Sequence, residues 1–230
     1  MINNNINLIA DDVYPIPTAK ERNYCAQGHR DDKIIRHLMT RRLHEACNTI
    51  TAVIDVDDYD VFRCWDVDLI VKTNTNIIVS VEIKVDDYPE MRGPDGQMHK
   101  YIFVETVSND KTGKVGWLYY SAANVFLYYF KKLDRFVLIN ANKLRDYVAA
   151  NIDNLQHKTA RTFAYDNRTI MYHSHGVLVD IYNLPDPPAL RYFCGAKSPY
   201  KWAEDELIEA GKLEPLTPLA AAENVNGIQF

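Results

Sequence analysis

Between Ile77 and Val85 the chain reads Ile-Ile-Val-Ser-Val-Glu-Ile-Lys-Val, apolar and β-branched residues interleaved with polar ones over the length of one strand. That run constrains the fold most, because successive side chains of an extended chain point to opposite faces. Val81, Ile83 and Val85 then lie on one face, while Ser80, Glu82 and Lys84 share the other. The preceding segment is built alike: Asp66 and Asp68 fall on one face, Val67, Leu69 and Val71 on the opposite one. Thr73-Asn74-Thr75-Asn76 has the composition of a turn. Folded as a hairpin, the two strands bring Asp68 beside Glu82 and Lys84.

The 230 residues, 47% hydrophobic, suffice for one well-buried core, and the pattern divides into an Asn-rich irregular arm (1–30), a central domain (31–184) and a C-terminal extension with a short helix (185–230). Residues 31–48 carry Ile34, Ile35, Leu38, Met39, Leu43 and Ala46 at helical spacing. Strands are expected over 49–56, 59–71, 77–85, 101–107, 124–130 and 135–140, and helices over 142–152 and 199–210. Residues 86–100, with Pro89, Gly93, Pro94 and Gly96, read as a loop, and 109–116 as a polar turn. A late hairpin is expected over 169–184, turning at His175-Gly176. The fold class is α/β with a mixed central sheet.

A net charge of −5 argues against nonspecific coating of nucleic acid, which depends on many Lys and Arg contacts to phosphates, but leaves room for a local basic patch. The four cysteines, Cys25, Cys47, Cys64 and Cys194, form no C-x-x-C pair, so neither a disulfide framework nor a zinc ribbon is indicated. No basic leader with an apolar stretch and no membrane-spanning run is visible, and a soluble cytoplasmic protein is the expectation. A Gly-rich phosphate loop and a G-x-S-x-G elbow are also missing from the sequence.

Clustered carboxylates are costly unless a cation neutralises them, and Mg²⁺ or Mn²⁺ prefers carboxylate, carbonyl and water oxygens. Such an ion polarises a phosphodiester and lowers the pKa of a bound water, while Lys84, two residues from a ligand, orients water or stabilises transition-state charge. Asp68, thirteen intervening residues and then Glu82-Ile83-Lys84 resemble the motif of the PD-(D/E)XK nuclease superfamily. The surroundings, a helix before the hairpin and a strand and helix after it, resemble its restriction-endonuclease-like αβββαβ core over residues 31–152. Val67 stands where the family's name has Pro.

The resemblance implies that Asp68, Glu82 and the Ile83 backbone carbonyl hold the metal and that Lys84 is the catalytic lysine. Many members add a Glu from the first helix, here Glu45 or, less well placed, Glu21. The implied activity is hydrolysis of phosphodiester bonds by in-line attack of a metal-bound water. A DNA endonuclease is favoured over one acting on RNA, and a homodimer is left open. Glu105-Thr106-Val107-Ser108, Gly116-Trp117-Leu118 and Ser121-Ala122-Ala123-Asn124 resemble stretches of small phage-type nuclease-like proteins, which points to a mobile element.

Rival readings stand beside this one. The same fold can serve as a catalytically silent module binding protein or nucleic acid. Asp66, Glu105 and Ser108 are either second contacts of the metal centre or ordinary strand-end polar residues. Trp117 and Tyr119, Tyr120, Tyr128 and Tyr129 stack on bases or pack in the core. Cys25, His29, His44 and Cys47 have zinc-ligand chemistry but match no zinc pattern, and His173 and His175 alternate on one strand face as either ligands or polar surface.

Overall fold

The computed structural model describes residues 19–86, 101–131, 134–163, 170–185, 191–192 and 199–214. Residues 1–18 of the expected arm and nearly all of the expected 86–100 loop lie outside them. Helix α1 spans Ala19–Ala46, so the helix extends well into the expected arm. Its stripe of Ile34, Ile35, Leu38, Met39 and Leu43 is buried, as the spacing requires.

The main sheet has six strands in the order β1 (Ile50–Asp55), β2 (Leu69–Thr73), β3 (Ile78–Asp86), β6 (Val125–Phe130), β7 (Arg135–Asn140) and β10 (Arg191–Tyr192). β3 and β6 run parallel, with Val81 opposite Val125, and the other neighbours are antiparallel. The mixed α/β sheet expected from sequence is therefore present.

One face of this sheet, with Leu69, Val71, Val81, Ile83, Leu127 and Tyr129, packs under α1 and under α5 (Pro199–Glu209). The C-terminal extension belongs to this layer: Arg30 of α1 grips Glu204 of α5 at 2.7 Å, and His37 meets Glu206 at 3.0 Å. The opposite face, with Phe126, Tyr128 and Val137, packs against a second sheet and α4 (Ala141–Asn151). That sheet has four strands in the order β5 (Lys114–Val115), β4 (Tyr101–Asn109), β9 (Ile170–Asp180) and β8 (Gln156–Phe163).

Two expectations are corrected. Residues 59–71 are not one strand: α2 (Asp60–Cys64) interrupts them, Asp66 turns the chain with φ of 54°, and β2 begins only at Leu69. Thirteen residues is more than twice a usual strand length of about 5–6, and Asp60 favours a helix start while Asp tolerates a positive φ. His175-Gly176 lies inside β9, paired to β4 and β8, rather than at a turn. Gly is needed there because a Cβ would sit 2.3 Å from the Val104 carbonyl oxygen. The crossover from β3 to its parallel neighbour β6 contains β4, β5 and the short α3 (Trp117–Tyr120).

Candidate active site

β2 stops short of β3, and the site occupies the step between them. The last cross-strand pair is Leu69 with Val81; one residue earlier, Asp68 N–H still donates to the Val81 carbonyl at 3.0 Å, and its side chain then turns back onto β3. There the Ile83 N–H donates to Asp68 Oδ2 at 2.7 Å. N–H and C=O of one strand residue project toward the same edge, so the Ile83 carbonyl leaves β3 on this unpaired side.

Glu82 and Lys84 lie on the face of β3 directed at the second layer. Glu82 is 4% exposed and accepts from the Lys84 ammonium, which also reaches Asp66 Oδ2 at 3.5 Å. The Lys84 nitrogen sits 5.8 Å from the Trp117 ring centroid, and Trp117 is fixed edge-on to Phe126. Burial raises the Asp68 carboxyl above its ordinary value despite the opposing Ile83 N–H, Lys84 and Arg36. Burial raises Glu82 well above its own, and the negative charges of Asp68 and Asp66 add to this against Lys84. For Lys84, desolvation works against the ammonium but is outweighed by Glu82 and Asp66, so its pKa is raised.

The supporting structure reaches back to α4. Arg145 donates to the carbonyls of Leu118 (2.7 Å) and Ser121 (2.6 Å), Ser121 Oγ donates to the Asp66 carbonyl (2.9 Å), and Ala122 N–H donates to the Trp65 carbonyl (2.8 Å). The turn that holds Asp66 against Lys84 is thereby clasped to the loop before β6.

An open cleft of about 540 Å³ lies over this centre, and α1 borders it with Asp32, Lys33 and Arg36. Arg36 is 9% exposed and bridges Asp55 (3.1 Å) and Asp57 (2.9 Å), shaping the loop after β1. Arg63 of α2 closes another side. Sequence reasoning does not find Asp32 and Arg36 here, because helical spacing marks only the apolar stripe of α1 and not what its polar positions face.

Glu45 is not brought to the centre. It lies thirteen positions beyond Asp32 on the same helix, about 20 Å at 1.5 Å per residue, and accepts from Arg42 at 3.2 Å while Arg42 also binds Asp134 at 2.8 Å. Physically it is the ordinary i,i+3 surface pair. The side chains of Glu21, Cys25 and His29 lie outside the described residues; Cys47 is a free thiol and His44 is exposed. Glu105 and Ser108 do not border the cleft. Tyr128 and Tyr129 are core residues, whereas Tyr119 and Tyr120 are exposed. His173 and His175 share a face and both approach Asp110, at 3.2 and 3.9 Å.

Among the described residues no three His, Cys, Asp or Glu side chains are grouped to hold a metal. The donors that do meet are two carboxylates and a strand carbonyl. This set suits a hard cation such as Mg²⁺, which retains several waters and takes only one or two carboxylates from the protein. Desolvation of both acids supplies the reason a cation would be held: their anionic forms lack sufficient compensation without one. No family model, curated protein or solved structure matches the chain. Among the described residues no helix is long and apolar enough to cross a membrane.

Proposed function

We propose that the chain is a divalent-metal-dependent nuclease of the PD-(D/E)XK type, acting on phosphodiester bonds and on DNA rather than RNA. The observation that carries this reading is the meeting of two desolvated carboxyl groups, Asp68 and Glu82, at an unpaired strand edge with the Lys84 ammonium beside them. A purely structural ion pair would need one acid; here Lys84 is shared by Glu82 and Asp66 while Asp68 stands as a further acid.

Asp68, Glu82 and the Ile83 carbonyl would hold Mg²⁺ or Mn²⁺, which supplies Lewis-acid polarisation of the phosphate and acidification of a coordinated water. The protein's own groups do the rest. Asp68 is oriented by the Ile83 N–H, and Glu82, which accepts from Lys84, would be the second acid to hold the ion. Lys84, freed in part from Glu82, offers its ammonium to the attacking water or to charge developing on the phosphate oxygens. Trp117 and the clasped Asp66 turn limit where that ammonium can go. Lys33 and Arg63, at the rim of the cleft, are placed to meet backbone phosphates.

The test is calorimetric titration with Mg²⁺ and Mn²⁺, followed by incubation with plasmid, single-stranded DNA and RNA. Metal binding with metal-dependent cleavage is expected. Metal-independent binding of nucleic acid or protein without turnover would replace this reading with the silent module.

A further inference from the structure

Across the Trp65–Asp66 turn from the cleft lies a second hollow, of about 410 Å³, with a different chemistry. Its floor is Ile70, Ile78 and Ser80, and one wall is Phe62 and Trp65; among the described residues no carboxylate lines it. Ile78 and Ser80 continue the face of β3 that bears Glu82 and Lys84, since all four alternate in step along one strand. Asp66 touches Lys84 and its neighbour Trp65 walls the hollow, so a single turn separates the two places.

The aromatic groups here are held yet uncovered. Trp65 is 53% exposed although its ring is set perpendicular to Phe62 at 6.2 Å, and Ile78 is 66% exposed. Cations border this surface. Lys72 pairs across the strands with Ile78 and shares the face of Ile70 by alternation. Lys114 lies 5.3 Å from the ring centroid of exposed Tyr120, whose hydroxyl reaches the Cys64 carbonyl at 3.5 Å. Rigid exposed rings bordered by ammonium groups, with no acid among the described lining residues, are the combination that takes unstacked bases and their phosphates. An apolar protein segment would find no use for the cations.

Resting on the nuclease reading, we infer that this groove receives unpaired bases adjoining the bond to be cleaved, so that the substrate is nucleic acid with a single-stranded segment. A continuous duplex keeps its bases stacked inward and cannot fill it.

Fluorescence anisotropy with a labelled oligothymidine of about 15 nucleotides, and with the same strand in duplex, tests this in Ca²⁺ and in EDTA, where turnover is not required. Single strand should bind at least tenfold tighter than duplex. Trp65→Ala should weaken single-strand binding at least tenfold, Trp65→Phe should restore most of it, and duplex affinity should stay within about twofold. Equal affinity for the two forms, no binding of either, or an unaffected Trp65→Ala variant would overturn the inference. So would sedimentation showing a dimer that Trp65→Ala dissolves, because the groove's occupant would then be a second copy. Cleavage without any effect of Trp65 would sink the groove alone; groove binding without metal-dependent cleavage would sink the nuclease reading alone.

Discussion

Two clusters in this protein set carboxylates against nitrogen-bearing side chains, and their acids behave in opposite ways. At the tip of the second sheet Asp110 faces His173 and His175, and its pKa is lowered by the His173 backbone N–H and then by the imidazole. In the main cleft Asp68 and Glu82 face Lys84, and both carboxyl pKa values are raised because burial outweighs the lysine. Water accounts for the difference. An exposed acid beside a donor is content as an anion, whereas two buried acids sharing one lysine remain short of positive charge. On the proposed function, the second arrangement is the one that a divalent ion would serve.

The largest expected effect breaks the comparison outright if it fails. Asp68→Ala and Glu82→Ala should each reduce metal-dependent cleavage by at least about a thousandfold, with far-UV circular dichroism unchanged, while Asp110→Ala leaves cleavage intact. Full activity in both cleft variants, with contaminating nuclease excluded, would remove the site. Next in size is Lys84→Met, expected to cost about a hundredfold in turnover while divalent affinity is kept or increased, because Glu82 no longer shares its charge. Loss of metal affinity in calorimetry would mean that Lys84 organises the carboxylates rather than the reaction.

Much of this centre was legible in the sequence because its logic is local. Strand alternation puts Glu82 and Lys84 on one face, and the 73–76 turn, with Asn76 at φ of 61°, sets the register that delivers Asp68. What lay beyond alternation was harder to see. Helical periodicity defines the buried stripe of α1 but not which end leans over the strands, so Glu45 was expected where Asp32 and Arg36 stand. Strand-like composition likewise carries no partner: residues 101–107 read as β, yet nothing local says they pair with β9 in another layer. The interruption at Asp60–Cys64 had signals in its acidic start and in the excessive length of the supposed strand.

A smaller effect sharpens the contrast through pH. Glu82 and Asp68 have folded pKa values above their unfolded ones, so their contribution to stability is complete below about pH 4 and is lost as pH rises through the folded values. Asp110, with a lowered folded pKa, acts in reverse: its contribution is present above the unfolded value and lost as pH falls. Metal-free protein should therefore lose thermal stability as pH rises from about 4 toward neutrality, and Glu82→Gln should flatten that decline. Added Mg²⁺ should restore more stability at high pH than at low, since it binds the anions. Calorimetric scans that show no change of slope in Glu82→Gln would contradict a desolvated Glu82.

The smallest expected effect concerns Glu45, where the two environments meet on one helix. Its side chain is 48% exposed and bonded to Arg42, which also binds Asp134, a residue that does not line the cleft. An exposed i,i+3 pair of this kind stabilises by about 0.2–0.5 kcal/mol. At about 2–4 °C per kcal/mol for a chain of this size, Glu45→Gln should lower Tm by no more than about 2 °C. Arg42 keeps Asp134, so no buried charge is stranded. Cleavage should change by less than about twofold, because about 14–20 Å of helix separates this position from the residues of α1 that border the cleft, Arg36 being the nearest and Asp32 the farthest. A tenfold loss of activity with Tm unchanged would require α1 to slide along the sheet when substrate binds, bringing its C-terminal half over Asp68. The bond between Arg30 and Glu204, which ties α1 to α5, opposes such a slide, so Arg30→Ala combined with Glu45→Gln would show whether that motion exists.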